Sequence, residues 1–576
     1  MRLAYFILFL FCSSLCVDAQ LSNIKWVSNS QGENSEWPWD VKTDQLGNVY
    51  IVGHFYSDTL RVNGILLYSK IKNSNFSKQN VFILKYTQNG ELIWAKNFHS
   101  DGNIGYPHMD ISKSNHIILT YYASQFSIIR YDTHQIHLPK ENYRGMIVNY
   151  LDENANLLWH KILIDSLNTL GHGRILFDHN EDIVVGGVSL SGTMYDEKGN
   201  VLIRDSGRVK RCFLLKLDKD GRVIWTKSYG NENSSYLSAI TTDQNNNLIV
   251  YGYFYGPEYK MDGITLLNRS RMHLGNVLTD YYVAKLDPEG RVLWANSIYG
   301  TDYNDVIDAK IITDQKGSIY INGLIQSDTL HFDDRVRLYK SQFNVLSKRP
   351  DLFYAKYNSD GNVVWAKRIV YGDPGAADYF TLTMSPDGRL FVAGTYDFTG
   401  IRSGEIMLPV YGLSDIYLFE CNQDGDIISK ASFGSSDYDW ISDIHFDQES
   451  NLYVAGAYSG PELQIGGTTL FNSNTDRSTD MLLFKLCPEP VSAVSKTEKI
   501  INVVYLSDLH SIMIQGLEGT EKGVCSLYDI SGIVILKKEL IMDPDTVIPL
   551  PELAGGVYIA EIRTARGQYC TKIIRR

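Results

Sequence analysis

Tryptophan recurs in this 576-residue chain at a near-constant interval. Trp26, Trp94, Trp159, Trp225, Trp294 and Trp365 lie 68, 65, 66, 69 and 71 residues apart, and the next register position holds Ser429. A sustained period of this length marks a repeat protein, in which each unit buries its apolar face against its neighbours. The phrase around the tryptophans recurs as FILKYTQNGELIWAK (82–96), FLLKLDKDGRVIWTK (213–227), YVAKLDPEGRVLWAN (282–296) and FYAKYNSDGNVVWAK (353–367). Each copy reads as a strand, a tight glycine turn and a second strand. A second phrase occurs as TDQLGNVYIVGHF (43–55), TDQNNNLIVYGYF (242–254), TDQKGSIYINGLI (313–325) and FDQESNLYVAGAY (446–458). It predicts another hairpin, with Asp, Asn and Gly in its turn. Looser copies at 111–123, 177–189 and 385–397 bring this hairpin to seven.

Each period therefore carries four strands, a to d. The Asp/Asn-turn hairpin supplies a and b, and the tryptophan hairpin supplies c and d. The 38 Tyr and 22 Phe favour strands as well. A four-stranded sheet repeated at a fixed period describes a propeller blade. The first repeat enters on a lone d strand at Trp26, and the last stops on a c strand, MLLFKLC (481–487). Pairing these half-blades closes a ring without a bare edge. The expectation is an all-β chain: a seven-bladed β-propeller over 20–487, its N-terminal strand closing the last blade, then a small Ig-like β-sandwich. An open β-solenoid is the rival and leaves both half-blades unexplained. The repeats resemble the SBBP-type β-propeller repeats of bacterial surface and secreted proteins. The resemblance rests on D-x-x-G-N-x-Y-x-x-G at Asp44, Gly47, Asn48, Tyr50 and Gly53, and covers most of 20–487. The second copy, NHIILTYYA, lacks both glycines. The resemblance implies an architecture and not an activity.

Met1-Arg2, an apolar run over 3–12 and Val17-Asp18-Ala19 predict a secretory signal peptide over 1–19, cut between Ala19 and Gln20. Beyond it no run approaches the ~20 apolar residues of a membrane helix, so no transmembrane anchor is expected. The five remaining cysteines are too few and odd in number for a disulfide framework and are expected to be mostly buried thiols. Lys+Arg 54 against Asp+Glu 66 gives a net charge of −12, which argues against a nucleic-acid partner.

Residues 488–500 read as a linker. From 501 to 576 the period changes to short strands with turn signals, the small sandwich. This tail resembles the C-terminal sorting domain of the type IX secretion system. The resemblance lies in LYDISGIVIL (527–536), LAGGVYIAEI (553–562) and the basic end at 572–576, with Asp529, Gly532, Gly556, Tyr558 and Lys572 as its motif residues. It implies the type IX machinery as a partner, passage across the outer membrane, removal of the tail, and release or attachment at the cell surface. An ordinary Ig-like domain is the alternative.

No H-E-x-x-H, G-x-S-x-G or P-loop occurs. DKDG (218–221) opens like a calcium loop, but Tyr229 stands where the ligand Glu would be. SDGNVVW (359–365) departs from the spacing of a sialidase Asp-box. His134 and His137 lack a further ligand at metal spacing and read as solvated loop histidines. No catalytic residue, metal or cofactor is therefore expected. The a–b and c–d turns are short and uniform, whereas the b–c and d–a connections are long and varied, which places any ligand on the latter face. Trp37 lies 11 residues after Trp26 and Trp440 lies 11 after Ser429, so ring closure makes them neighbours. Trp39, Tyr236, Tyr303 and Tyr438 fall nearby, with Asp302, Asp437 and Asp439 among them. Such aromatics suit sugar stacking, or else wedge between blades as core. The expected function is a monomeric, exported, non-enzymatic binding or adhesion protein with a glycan or protein ligand. A secreted glycan-degrading or other hydrolytic enzyme is the alternative, and a structural surface spacer the third.

Overall fold

The computed structural model describes residues 21, 23–69, 79–124, 128–138, 144–165, 173–189, 193–204, 210–230, 233–270, 279–300, 309–340, 350–369, 380–398, 402–403, 406–472, 477–488, 502–506, 511–515, 521–529, 533–542, 547–564 and 567–575. The expected signal peptide with Ala19 and Gln20, most of the linker, Asp302, Tyr303 and Gly532 lie outside the described residues. Every described element is a β-strand, and among the described residues no helix is long and apolar enough to cross a membrane. The chain divides into two compact units, Met1–Glu489 and Pro490–Arg576.

In the first unit, Glu36–Thr43, Val49–Phe55, Asn80–Tyr86 and Leu92–Ser100 pair in that order as an antiparallel meander. The same a-b-c-d order recurs along the unit. Strands b and c are buried at every residue in Val49–Phe55 and Asn80–Tyr86, as continuous apolar runs require. The d strand Leu92–Ser100 is only partly covered. Ile24–Gln31 pairs with Asp480–Leu486, in the sheet that Asp439–Phe446 and Leu452–Tyr458 begin. The first and last strands of the repeat region thus share one antiparallel sheet.

The a–b turn is held by its aspartate. Asp44 accepts hydrogen bonds from the backbone N–H of Leu46 (3.0 Å) and Asn48 (2.9 Å), from Asn48 Nδ2 (2.8 Å) and from the Tyr50 hydroxyl (3.2 Å). Lys85, from strand c, lies 3.5 Å from the same carboxylate and over the Tyr50 ring. Asp447, Asn451 and Tyr453 repeat the arrangement. The motif is therefore a hydrogen-bonded corner that satisfies the turn's backbone donors.

Four of the periodic tryptophans, from Trp159 onward, join one sheet to the next through the indole N–H. Trp159 Nε1 donates to the Lys219 carbonyl (2.8 Å), Trp225 to Pro288 (3.1 Å), Trp294 to Ser359 (3.2 Å) and Trp365 to Gln423 (3.1 Å), each on the c–d turn of the following sheet. Ser429 occupies the equivalent place on Ile427–Phe433, and the sheet that follows takes its c and d strands from opposite ends of the repeat region. No c–d turn exists there for an indole to cover.

The long b–c connections differ from expectation. They contain two-stranded hairpins that lie against the d strand of the preceding sheet. Thr59–Val62 pairs with Ile24–Gln31, Ile128–Tyr131 with Leu92–Ser100, and Thr193–Asp196 with Leu157–Asp165. An uncovered d strand would present unpaired backbone groups to other chains, and these hairpins cover it. Asn63-Gly64 and Asp262-Gly263 turn two of them with both residues in the left-handed region, the backbone that a two-residue hairpin loop demands. His134 and His137 are exposed, and they sit on a strand of such a hairpin rather than on a loop.

Cys212, Cys421 and Cys525 are buried free thiols, and Cys487 is half-buried. The second unit has a three-stranded sheet, Asn502–Leu506, Ser511–Gln515 and Val547–Pro549, and a four-stranded sheet ordered Val534–Met542, Glu521–Asp529, Gly556–Thr564 and Gly567–Arg575. Its core gathers Cys525, Leu527, Ile548, Tyr558 and Ile562. Asp529 ends a strand and accepts from the Ile533 N–H (3.0 Å), Gly556 opens the next, and Lys572 pairs with Ile559.

Candidate functional site

The a strands of the first unit converge on two overlapping axial cavities of about 460 and 390 Å³. Four residues before each a–b turn, the chain places one side chain at this axis: Asp40, His108, Arg174, Ala239, Lys310, Thr381 and Asp443. The charged ones engage across sheets. Asp40 Oδ2 lies 3.1 Å from His108 Nδ1 and accepts from the Met109 N–H (3.0 Å). Arg174 donates to His108 Nε2 and to the Ser238 carbonyl (2.6 Å). Lys310 Nζ lies 2.9 Å from Asp443 and 3.8 Å from Asp40, and Lys42 lies 3.9 Å from Asp443.

Burial opposes ionisation of Asp40, but His108, Lys310 and Lys42 overcome it and hold its carboxyl well below the usual range. Burial also resists the charge on Lys42, which Asp443, Asp40 and Asp110 outweigh, raising its pKa. Deeper in the axis, burial and then Lys42 and Lys310 push His445 well below the ordinary histidine value.

Aromatic side chains surround the larger cavity. Trp37 and Trp440 lie with ring centroids 4.8 Å apart at 57°, and both are half-buried. Trp39 is the extra residue of a β-bulge, since Pro38 pairs with Gly53 and Asp40 with Val52. Bulges re-aim side chains, and this one turns Trp39 into the cavity. Ser442, on the matching bulge between Ile441 and Asp443, also lines it. Trp39 Nε1 donates to His54 Nδ1 (2.7 Å), and burial lowers His54 to about 3, so it stays neutral and able to accept. Tyr106 meets Trp39 edge-on at 5.2 Å with a left-handed backbone, φ 54°. A non-glycine residue held in that region is a strained position of the kind that clusters at ligand sites.

The six aromatics singled out by sequence separate into groups. Trp37, Trp39 and Trp440 line one cavity, and the exposed Tyr438 stacks on Trp440 at 5.6 Å. Tyr236 does not line it; it stacks on Tyr253 at 4.6 Å beneath Lys210. Tyr303 lies outside the described residues. Asp439 is buried and accepts from the Ser435 N–H (2.6 Å), and burial raises its carboxyl well above the usual range, so it supports the rim. Asp437 pairs with Arg477 (3.1 Å). Sequence reasoning missed Asp40, Tyr106, His108, Arg174, Lys310 and Asp443. Superposing the repeats on their turn residue would have stacked all but Tyr106 at one position.

No family model matches the chain. An uncharacterized WD repeat-containing protein of Acanthamoeba polyphaga mimivirus is 24% identical over 374 residues, 55% of this chain and 26% of that protein. The chain thus spans about a quarter of that relative's length. Antiparallel repeat sheets and a WD-repeat relative are together consistent with a β-propeller. Among solved structures, polysaccharide lyase Uly1 is 10% identical with a TM-score of 0.38, over 80% of this chain and 90% of the lyase. Cobalt-substituted Synechocystis ACO is 10% identical with a TM-score of 0.34, over 90% of this chain and 96% of that one. A protein of unknown function from Dyadobacter fermentans DSM 18053 is 10% identical with a TM-score of 0.34, over 68% and 95%.

Proposed function

We propose that this chain is an exported, non-enzymatic, seven-bladed β-propeller that binds a glycan at its axial mouth. The observation that supports it is the placement of Trp37, Trp39 and Trp440 around one cavity of about 460 Å³, half-buried rather than sealed in the core. Flat aromatic faces beside fixed polar groups suit sugar rings. Binding is favoured over hydrolysis at the mouth by the state of Asp40, the carboxylate among the described residues that line the larger cavity. Glycoside cleavage needs a carboxylic acid that donates a proton, but Asp40 is held ionised and Lys310 bridges it to Asp443. The direct test is a glycan array with the full-length protein and its Trp39→Ala/Trp440→Ala variant. Binding that the double variant loses supports the reading, and an array blank with the wild type overturns it.

The tail belongs to the same proposal as an Ig-like, type IX sorting module that delivers the propeller to the outside or to the outer surface. Its support is the separate core around Cys525 and Tyr558 and the division between Glu489 and Pro490. Deletion of 501–576 should leave a folded propeller in the periplasm, and secretion without the tail would contradict the route.

A further inference from the structure

We infer that the glycan taken at the mouth is acidic and places a carboxylate or sulfate against Arg174 and Lys310, an inference that rests on the glycan reading above. The charged side chains lining the cavity are Asp40, Arg174 and Lys310. They are not equally available. Asp40 keeps 7% of its side chain exposed, with His108, the Met109 N–H and Lys310 gathered on its oxygens. Asp443, behind the wall, keeps 2% and is held by Lys310, the Val41 N–H (3.3 Å) and the Thr381 hydroxyl (3.2 Å). Lys310 keeps 30%, and Arg174 is half-buried on the cavity wall. Lys310 is thus more exposed than either carboxylate it pairs with. His54, kept neutral by burial, adds no charge to the cavity.

A guanidinium whose Nε is fixed on the Ser238 carbonyl and whose Nη1 meets His108 is held in one orientation on the wall, and a fixed planar cation suits carboxylate or sulfate oxygens. The tryptophans stand on the walls of the same cavity, so one sugar unit can stack on an indole while its acidic substituent meets the cations. The volume falls in the ordinary range of small-molecule sites, enough for one or a few sugar units.

The test is calorimetric titration of the full-length protein with uronate oligosaccharides and their carboxyl-reduced counterparts, and with sulfated oligosaccharides and their desulfated counterparts. The expected result is at least tenfold tighter binding of one acidic member than of its neutral counterpart. Raising NaCl from about 50 to 500 mM should weaken the acidic member alone. The carboxylate and sulfate arms identify which group is read. Arg174→Gln should remove the preference, and Arg174→Lys, which keeps the charge but loses the fork, should retain part of it. Equal binding of acidic and neutral members, with no salt effect, overturns this inference and leaves the glycan reading standing. Binding of no member overturns both. The salt comparison needs no variant, so a misfolded Arg174→Gln protein does not rescue the inference.

Discussion

The indole Nε1 of Trp26 donates to the carbonyl of Gln88 at 3.0 Å, across 62 residues of chain, and its ring lies on Gly90. The contact ties the N-terminal strand to the turn of the first complete sheet. Four further copies, at Trp159, Trp225, Trp294 and Trp365, place most of the tryptophan period at joints between sheets, and Trp94 is the exception, its buried Nε1 making no such hydrogen bond. Ser429 fits the same rule, because its following sheet has no turn to cover.

Removing this latch should be costly. Trp26→Ala is expected to destabilise the first unit by about 3 kcal/mol, as large aromatic truncations do. Gly90→Ala should cost roughly 2 kcal/mol: its φ is 87°, and a Cβ would stand 2.6 Å from the Trp26 ring. Urea denaturation followed by tryptophan fluorescence measures both. Losses below about 1 kcal/mol in each would remove the latch from the account.

Deleting residues 20–30 strips the partner from Asp480–Leu486, which is buried at every residue. An apolar strand edge exposed in this way pairs with other chains. Size-exclusion chromatography should find the truncated protein oligomeric or aggregated, and a monomer with an unchanged melting temperature would refute ring closure by this strand.

What could be read from sequence was local. Most of the a–b hairpins announce themselves through a turn aspartate followed by Gly or Asn, so strand order and the pairing of the ends followed. The charged axis was not legible, because Asp40, His108, Arg174, Lys310 and Asp443 are scattered over 404 residues, counted from 40 to 443, and each alone looks like a solvated charge. The edge hairpins carried a visible signal in Asn63-Gly64, Asp262-Gly263 and Gly466-Gly467, hidden inside segments whose length suggested variable loops. The aim of Trp39 depends on a one-residue bulge, and alternation along a strand does not specify where a bulge falls.

Several buried carboxyls should each cost stability as pH rises through the mildly acidic range. Asp280 accepts from the Ser270 hydroxyl and the Arg269 N–H (2.8 Å), and Asp415 from the Tyr411 N–H (2.9 Å); burial raises each to about 6. At the closure, burial raises the neighbouring Glu36 and Asp480 carboxyls as well. A carboxyl raised on folding contributes stability fully below its unfolded pKa, near 4, and loses it as pH climbs through the folded value. Asp40 is shifted the other way, so its contribution disappears only below that range. The neutral, buried His54 and His445 act in the opposite sense over part of this span, because each must give up a charge it would carry in the unfolded chain below about pH 6.5, so the carboxyl contribution is read as a difference between wild type and variants. Relative to wild type, Asp280→Asn and Asp415→Asn should each gain stability as pH rises from about 4 to 6, and a difference that stays constant over that span would contradict these assignments.

Lys310→Met leaves Asp40 and Asp443 without their shared cation. Breaking a buried pair costs ~3–5 kcal/mol, and the 30% exposure of Lys310 lowers the expectation to about 2 kcal/mol. Adding Asp443→Asn removes the stranded charge and should restore part of the loss. A double variant less stable than Lys310→Met alone would place Asp443 outside this network.

The last expectation separates platform from wedge at the mouth. Trp440 touches Trp37 at 4.8 Å and Tyr438 at 5.6 Å, yet remains half-buried on the cavity wall. An aromatic pair contributes ~0.5–1.5 kcal/mol beyond its buried area, so Trp440→Ala should cost about 1–2 kcal/mol. A fully buried indole would cost ~3–5 kcal/mol. The platform reading further requires that Trp440→Ala and Trp37→Ala each weaken glycan binding at least tenfold while the fold persists. Thermal melts and calorimetry on the same two variants measure the pair of effects. Losses of core size in both, with ligand affinity unchanged in whatever protein remains folded, would make these rings joints between sheets and end their assignment as a binding surface.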